Sequence, residues 1–391
     1  MTSKLWMLGA ALGAGLFAAP ALADDNTVTI GLILPMTGQQ ASTGKQEKAG
    51  AELYMQQHGD TVAGKKINLI VKDDTGAADV TKRLAEELIA NDHANVLMGF
   101  GTTPLALATA PVATEAKVPE VVTAAGTAMI TEKSPYVIRT SFTLPQASVP
   151  MAEWSLKNGI NKVVTIVSDY GPGIDAEKWF SDTFKKGGGT VKENIRVPLK
   201  NPDFAPFLQR VKDDAPDAVF VFVPSGQGAV FMKEFVEQGL DKAGVKLIGT
   251  GDVTDDDLLP QMGDATLGAV TTHHYSAAHD SPENKAFVAA FEKANSGMRP
   301  NFMAVGAYDG MALVYQALEK AKGDASGDAL IAAMKGMSWT SPRGPISIDP
   351  ETRDIVQDIY VRKVEKKDGA LYNVEFATIP NVKDPFKAAE H

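Results

Sequence analysis

Short unbroken runs of apolar residues recur along this chain, each ending in a polar, glycine-rich stretch and followed by an amphipathic segment. That pattern predicts strands alternating with helices, hence parallel sheets covered by helices. Val28 to Leu34 opens the series, followed by the Gly/Ser/Thr/Gln-rich turn 35–44 and a helical segment to about His58. Ile67 to Lys72 is the next strand, and Val80, Leu84 and Leu88 at four-residue spacing mark the next helix. Val96 to Gly99 then runs into Phe100, Gly101, Thr102, Thr103 and Pro104, ahead of the Ala-rich helix Leu105 to Ala116 with its irregular Pro111. Residues 119–122 repeat the construction and run into Thr123, Ala124, Ala125, Gly126 and Thr127. Two neighbouring strand ends with small and hydroxylated residues would face one crevice. In open α/β sheets ligands sit there, and a helix amino terminus beside them favours an anion. The plainer alternative is that small residues merely let helix and strand pack closely.

The pattern pauses at 136–142 and restarts. A helix from Gln146 to Asn158 leads to a strand 162–167, the turn 168–173 with Tyr170, and a helix closed by Gly187, Gly188 and Gly189. Strands follow at 191–197, 218–223 and 246–249, the second ending in Pro224, Ser225, Gly226, Gln227 and the third in Thr250, Gly251, Asp252. Phe204, Phe207, Phe231 and Phe235 read as core residues on the intervening helices. Beyond Thr272 the chain turns helical, with Phe287 and Phe291 on one face, and is expected to return to the first sheet. The tail 344–379 is strand-like, and 383–391 is expected to fray.

Composition adds three constraints. Met1 to Ala23 carries Lys4, an apolar run too short for a membrane span and the ending Ala21, Leu22, Ala23, which together predict a secretory signal cleaved before Asp24. There is no cysteine, so the fold rests on its core alone, and 391 residues at ~100–200 per domain suggest two domains. The formal charge of −10 argues against nucleic acid and anionic membrane surfaces as partners.

The order of units resembles the periplasmic solute-binding proteins of ABC importers, specifically the leucine/isoleucine/valine-binding group. The residues that carry the resemblance are 30–38 (Ile-Gly-Leu-Ile-Leu-Pro-Met-Thr-Gly), Val118 and Pro119, Tyr136 to Thr143, Asp169 to Gly171, and 307–313 with Asp309. It implies an α/β fold of two Rossmann-like lobes with parallel-type sheets joined by a three-crossing hinge. Lobe 1 would comprise 24–142 plus 275–341, and lobe 2 would comprise 143–274 plus 342–391. The implied mechanism is closure over a small carboxylate, followed by docking on an inner-membrane permease, by a monomer without cofactor, metal or catalytic residue. A periplasmic sensor that signals to a separate membrane partner is the alternative.

The resemblance also places the ligand site. Thr103 with Thr102, Ala125 and Thr127 would hold the carboxylate by hydroxyls and amides; Tyr170 would face it, with Ser225 and Gln227 in the next loop and Ser42 and Thr43 in the first. Tyr275 is expected near the cleft. Amino-acid-binding members place a glutamate for the ligand ammonium where this chain has Gly251. Asp252 either replaces it or caps a helix over 255–259, and without a replacement aromatic or keto acids become better candidates than branched-chain amino acids.

Other chemistries fit poorly. Gly99 and Gly101 suggest a dinucleotide loop, but Pro104 stands where the third glycine or alanine belongs. Adjacent His273 and His274 should point to opposite faces of a strand, which disfavours a shared metal with His279. Asp255, Asp256 and Asp257 read as a solvated helix start. No Gly-x-Ser-x-Gly occurs.

Overall fold

A computed structural model describes residues 26–389, so the predicted leader 1–23 and its cleavage point lie outside the described residues. The first sheet contains β1 (Thr27–Leu34), β2 (Thr61–Val62), β3 (Lys65–Asp73), β4 (Val96–Gly99), β5 (Glu120–Val122) and β6 (Val137–Arg139). Their order is β2-β3-β1-β4-β5-β6, and all pairs are parallel except β2 with β3. The second sheet contains β7 (Lys162–Ser168), β8 (Thr190–Val197), β9 (Ala218–Phe222), β10 (Lys246–Thr250), β11 (Val270–His273), β12 (Ser338–Ser341), β13 (Gly344–Ile348), β14 (Ile355–Lys367) and β15 (Ala370–Val382). Its order is β12-β13-β14-β11-β10-β9-β7-β8, with β15 also on β14. β7 to β11 are parallel, and β11 to β15 join through antiparallel pairs, so this sheet is mixed rather than wholly parallel.

The connections reverse direction between β1 and β4 in the first sheet and between β7 and β9 in the second. A crevice opens outside the carboxyl ends at such points. Along the first sheet run α1 (Ala41–His58), α2 (Ala78–Ala90) and α3 (Thr103–Ala116); along the second, α4 (Leu144–Lys157), α5 (Gly171–Lys186), α6 (Ala205–Asp214) and α7 (Gly228–Glu237). The chain then goes back, as its helical pattern predicts, through α8 (Pro282–Ala294), α9 (Phe302–Lys320) and α10 (Gly327–Met334). α9 packs tightly on α1: a Cβ added to Gly50 would lie 2.1 Å from the Ala304 carbonyl oxygen. The apolar face of α9 shares one core with β1, β4 and β13.

The backbone passes between the sheets three times, at 140–143, 274–281 and 335–337. β12 precedes the lobe boundary drawn at 341/342 yet pairs with β13 in the second sheet, which puts the third passage a few residues earlier. Arg343, fully buried in the turn after β12, donates to the carbonyls of Thr140 and Ser141 in the first passage and pairs with Asp309 of α9 at 2.8 Å.

Three sequence expectations change. Residues 255–258 are not helical; Gly251–Thr254 and Leu259–Gln261 form separate 3-10 turns, and Asp255 and Asp256 are buried rather than solvated. Their exposed-helix reading fails because Asn301 and Asn373 donate to them from other segments. His273 and His274 do not diverge: their rings stack 4.3 Å apart, since β11 ends at His273 and strand alternation stops there. The tail is not frayed through its described part, because α11 (Pro385–Ala388) buries Lys387, whose ammonium donates to Ala128 O, Thr131 Oγ1 and Asp354.

Candidate functional site

The site is built from strand ends. β4 leaves its sheet through Gly99 at φ 119° and Phe100 at φ 70°, a left-handed exit that only a residue without Cβ tolerates easily at the first position. A Cβ on Gly99 would lie 2.3 Å from Ile33 O. The turn delivers Thr102 and Thr103 to the crevice, and Thr103 starts α3 with Pro104 beside it, where a missing N–H costs nothing. Thr103 Oγ1 lies 2.8 Å from Thr127 Oγ1, which comes from the neighbouring β5 loop. Across the cleft, β7 ends at Ser168 and runs into Tyr170, the residue preceding α5; β9 ends in Phe222, followed by Pro224 and Ser225; β10 runs into Gly251 and Asp252.

Between these ends lies a small cavity. Thr102, Thr103, Ala125, Tyr170, Ser225 and Asp252 line it, as the sequence reading placed them in one site. Phe142, Leu144, Phe222, Met303 and Gln40 also line it and are not among the residues expected from sequence. Phe142 and Phe222 carry a readable signal, an aromatic residue at or just past a strand's carboxyl end. Met303 carries none, since it arrives on α9 from far along the chain.

The remaining picks fall elsewhere. Thr127 stands behind Thr103 and supports it. The Ala125 amide donates to Phe100 O, so Ala125 offers a wall rather than the expected amide. Thr43 is buried against Gln40, and Ser42 donates to Asp257 across the cleft at 2.9 Å. Gln227 turns away to donate to Leu199 O. Tyr275 is fully buried off the cavity, its carbonyl accepting from Arg362.

Gly251 is also off the cavity, for a specific reason. A Cβ there would lie 2.3 Å from Arg362 Nη2 and 2.5 Å from His273 Cγ. The space that an acidic side chain would need is filled by a buried guanidinium and imidazole. Asp252 is thus the charged side chain in the cavity wall. Burial, with the Asp252 charge nearby, pushes the Tyr170 hydroxyl well above its ordinary range, so it stays a neutral donor. Burial likewise lowers His273 to about 4, leaving its imidazole neutral at pH 7.

The two sides touch directly. Asp175 of α5 accepts from the Ala128 amide at 2.9 Å, and Gly171 abuts Thr127 so closely that a Cβ would lie 2.7 Å from Thr127 Oγ1. Gly171→Ala is therefore expected to lower ligand affinity ~5- to 150-fold, the equivalent of roughly 1–3 kcal/mol of overpacking in the closed form alone. Titration calorimetry beside denaturation of the ligand-free protein checks this; unchanged affinity would refute the close approach.

Comparison with known proteins gives a consistent picture. A family model described as periplasmic binding protein matches residues 27–370. A Leu/Ile/Val-binding protein homolog 6 from Brucella melitensis biotype 1 is 44% identical over 374 residues, covering 95% of each chain. An ABC-transporter solute-binding protein of Rhodopseudomonas palustris BisB5, solved with 3,4-dihydroxybenzoic acid, is 65% identical with a TM-score of 0.91, covering 93% of this chain and 99% of its own. Another from R. palustris HaA2, solved with p-hydroxybenzoic acid, is 45% identical with a TM-score of 0.90, covering 93% and 100%.

Proposed function

Because this chain belongs to the periplasmic binding protein family, the non-enzymatic solute-binding components of ABC importers, we propose that it carries an aromatic carboxylic acid to a membrane permease. The ligand sits in the cleft, its carboxylate on the Thr103 hydroxyl and its ring among Phe142, Tyr170 and Phe222. One observation carries the choice of ligand: Gly251, where the resemblance places the ammonium-binding acid of amino-acid-binding members, is backed by Arg362 and His273 with no space for an acid. An amino acid would leave its ammonium there without a partner, at a cost of several kcal/mol, roughly. The aromatic acids bound by the two R. palustris proteins support the same ligand class.

Export to the periplasm follows from the leader read at 1–23, and the protein works as a monomer of two lobes that divide at the three passages. Ligand contacts from both lobes exist together only in the closed form, so binding shifts the open–closed equilibrium.

A thermal-shift screen of the mature chain, unfolded and refolded to strip carried-over ligand, tests this reading. A ligand at 100 times its dissociation constant adds about 2.7 kcal/mol. Benzoate-type acids are expected to stabilise and leucine, isoleucine and valine to leave the transition unmoved; stabilisation by the amino acids alone would overturn the assignment. Thr103→Val is expected to weaken carboxylate binding by ~1–3 kcal/mol by removing a buried donor, and Thr127→Ala by less, since Thr127 acts through Thr103.

A further inference from the structure

Asp252 has an arrangement that a carboxylate-binding cleft does not need for the carboxylate itself. Its Oδ2 accepts from Thr250 Oγ1 at 2.9 Å and is faced by His273 Nε2 at 3.6 Å. Its other oxygen has no protein partner among the described residues, while the side chain, 4% exposed, forms part of the cavity wall. A fixed acceptor thus faces the ligand, and an anionic ligand tolerates a second carboxyl group beside it only with a hydrogen between them.

The sheet order says where that acceptor stands. Gly171, just past β7, packs against the side chains of Thr127 and Thr103, so the hydroxyl pair faces the end of β7. Asp252 follows β10, which is separated from β7 by β9 alone. Two strand spacings of ~4.8 Å put the acid roughly 10 Å along the cleft from that point. A hydroxyl on the far side of a six-membered ring reaches across such a span from a carboxylate held at the threonine pair.

We propose that Asp252 reads a hydroxyl at the meta or para position of the ring, making this protein a receptor for hydroxylated aromatic acids in preference to unsubstituted ones. Thr250 is the positioning residue that turns the carboxyl toward the ring. The inference rests on the aromatic-carboxylate reading above.

The test is titration calorimetry of the mature chain and its Asp252→Ala variant with benzoate, 4-methylbenzoate, 4-hydroxybenzoate and 3,4-dihydroxybenzoate. The parent protein is expected to bind 4-hydroxybenzoate about tenfold or more tighter than benzoate and 4-methylbenzoate. The variant is expected to shrink that ratio to within about twofold, chiefly through weaker 4-hydroxybenzoate binding, whereas Thr103→Val is expected to weaken both acids alike and leave the ratio standing. Thr250→Val should lower the ratio partially. Equal affinity of the parent for benzoate and 4-hydroxybenzoate, or an equal loss of both in the variant, would overturn the role of Asp252. Failure of all four acids to bind the parent would sink the ligand class itself, a distinct result.

Discussion

Arg343→Ala is expected to lower the unfolding free energy by about 3–5 kcal/mol, the usual result of stripping one partner from a buried ion pair. Arg343 and Asp309 are essentially inaccessible to solvent and lie 2.8 Å apart. Asp309 also accepts from Ser341 Oγ and Trp339 Nε1, and burial still pushes its carboxyl above the ordinary range. The guanidinium further donates to Thr140 O, Ser141 O and Gln357 Oε1, so its loss leaves several buried acceptors short at once. Those acceptors come from the first passage and from β14, so Arg343 helps to tie these segments together, alongside Gln357, which also donates to Ser141 O. Urea denaturation measures the change, and the Arg343→Ala/Asp309→Ala double variant should lose less than the two single losses combined. A loss below about 1 kcal/mol would mean that water replaces the guanidinium at little cost.

Glu47→Gln is expected to do the opposite, and only at higher pH. Glu47 lies on α1, is fully buried, and accepts from Thr123 Oγ1 at 2.5 Å. Burial raises its carboxyl to about 8; the Asp74 charge adds to this, and the Thr123 hydrogen bond opposes it. Below about 4.5, folded and unfolded chains both hold the proton. Between about 4.5 and about 8 the unfolded chain releases it and the folded chain keeps it, so stability falls with rising pH and this contribution is lost by the folded value. At 1.36 kcal/mol per unit the loss reaches about 4 kcal/mol near pH 8. Glutamine is neutral throughout and keeps the Thr123 contact. The variant should match the parent at about pH 4 and exceed it by about 4 kcal/mol at pH 8 in paired urea titrations. Parallel curves across that window would show that Glu47 ionises freely in the fold.

Much of the site was visible in the linear chain. Thr102, Thr103, Ala125, Tyr170, Ser225 and Asp252 all follow the carboxyl ends of strands, and each strand was marked by an apolar run bounded by glycine or proline. A strand end is a local property, set by where the hydrophobic pattern stops. The misses are of another kind. Ser42, Thr43, Gln227 and Tyr275 sit in segments that do approach the cleft, but their side chains find partners elsewhere, and side-chain direction depends on packing from distant segments. Asp255 and Asp256 look solvated in sequence because Asn301 and Asn373, which meet them, are 46 and 117 residues away.

The sequence by itself determined the two series of strands and helices, the return of the chain to its first sheet, and the pair of threonine-bearing strand ends where a ligand can sit. These follow from hydrophobic periodicity and glycine placement, which act over a few residues. Only the tertiary structure decided that Gly251 has no room for an acid, that Asp252 faces the cavity with one oxygen free, and that Phe142, Phe222 and Met303 close the wall. Those outcomes depend on which atoms fill a shared volume, and that volume is enclosed by residues brought together from both sheets and from α9.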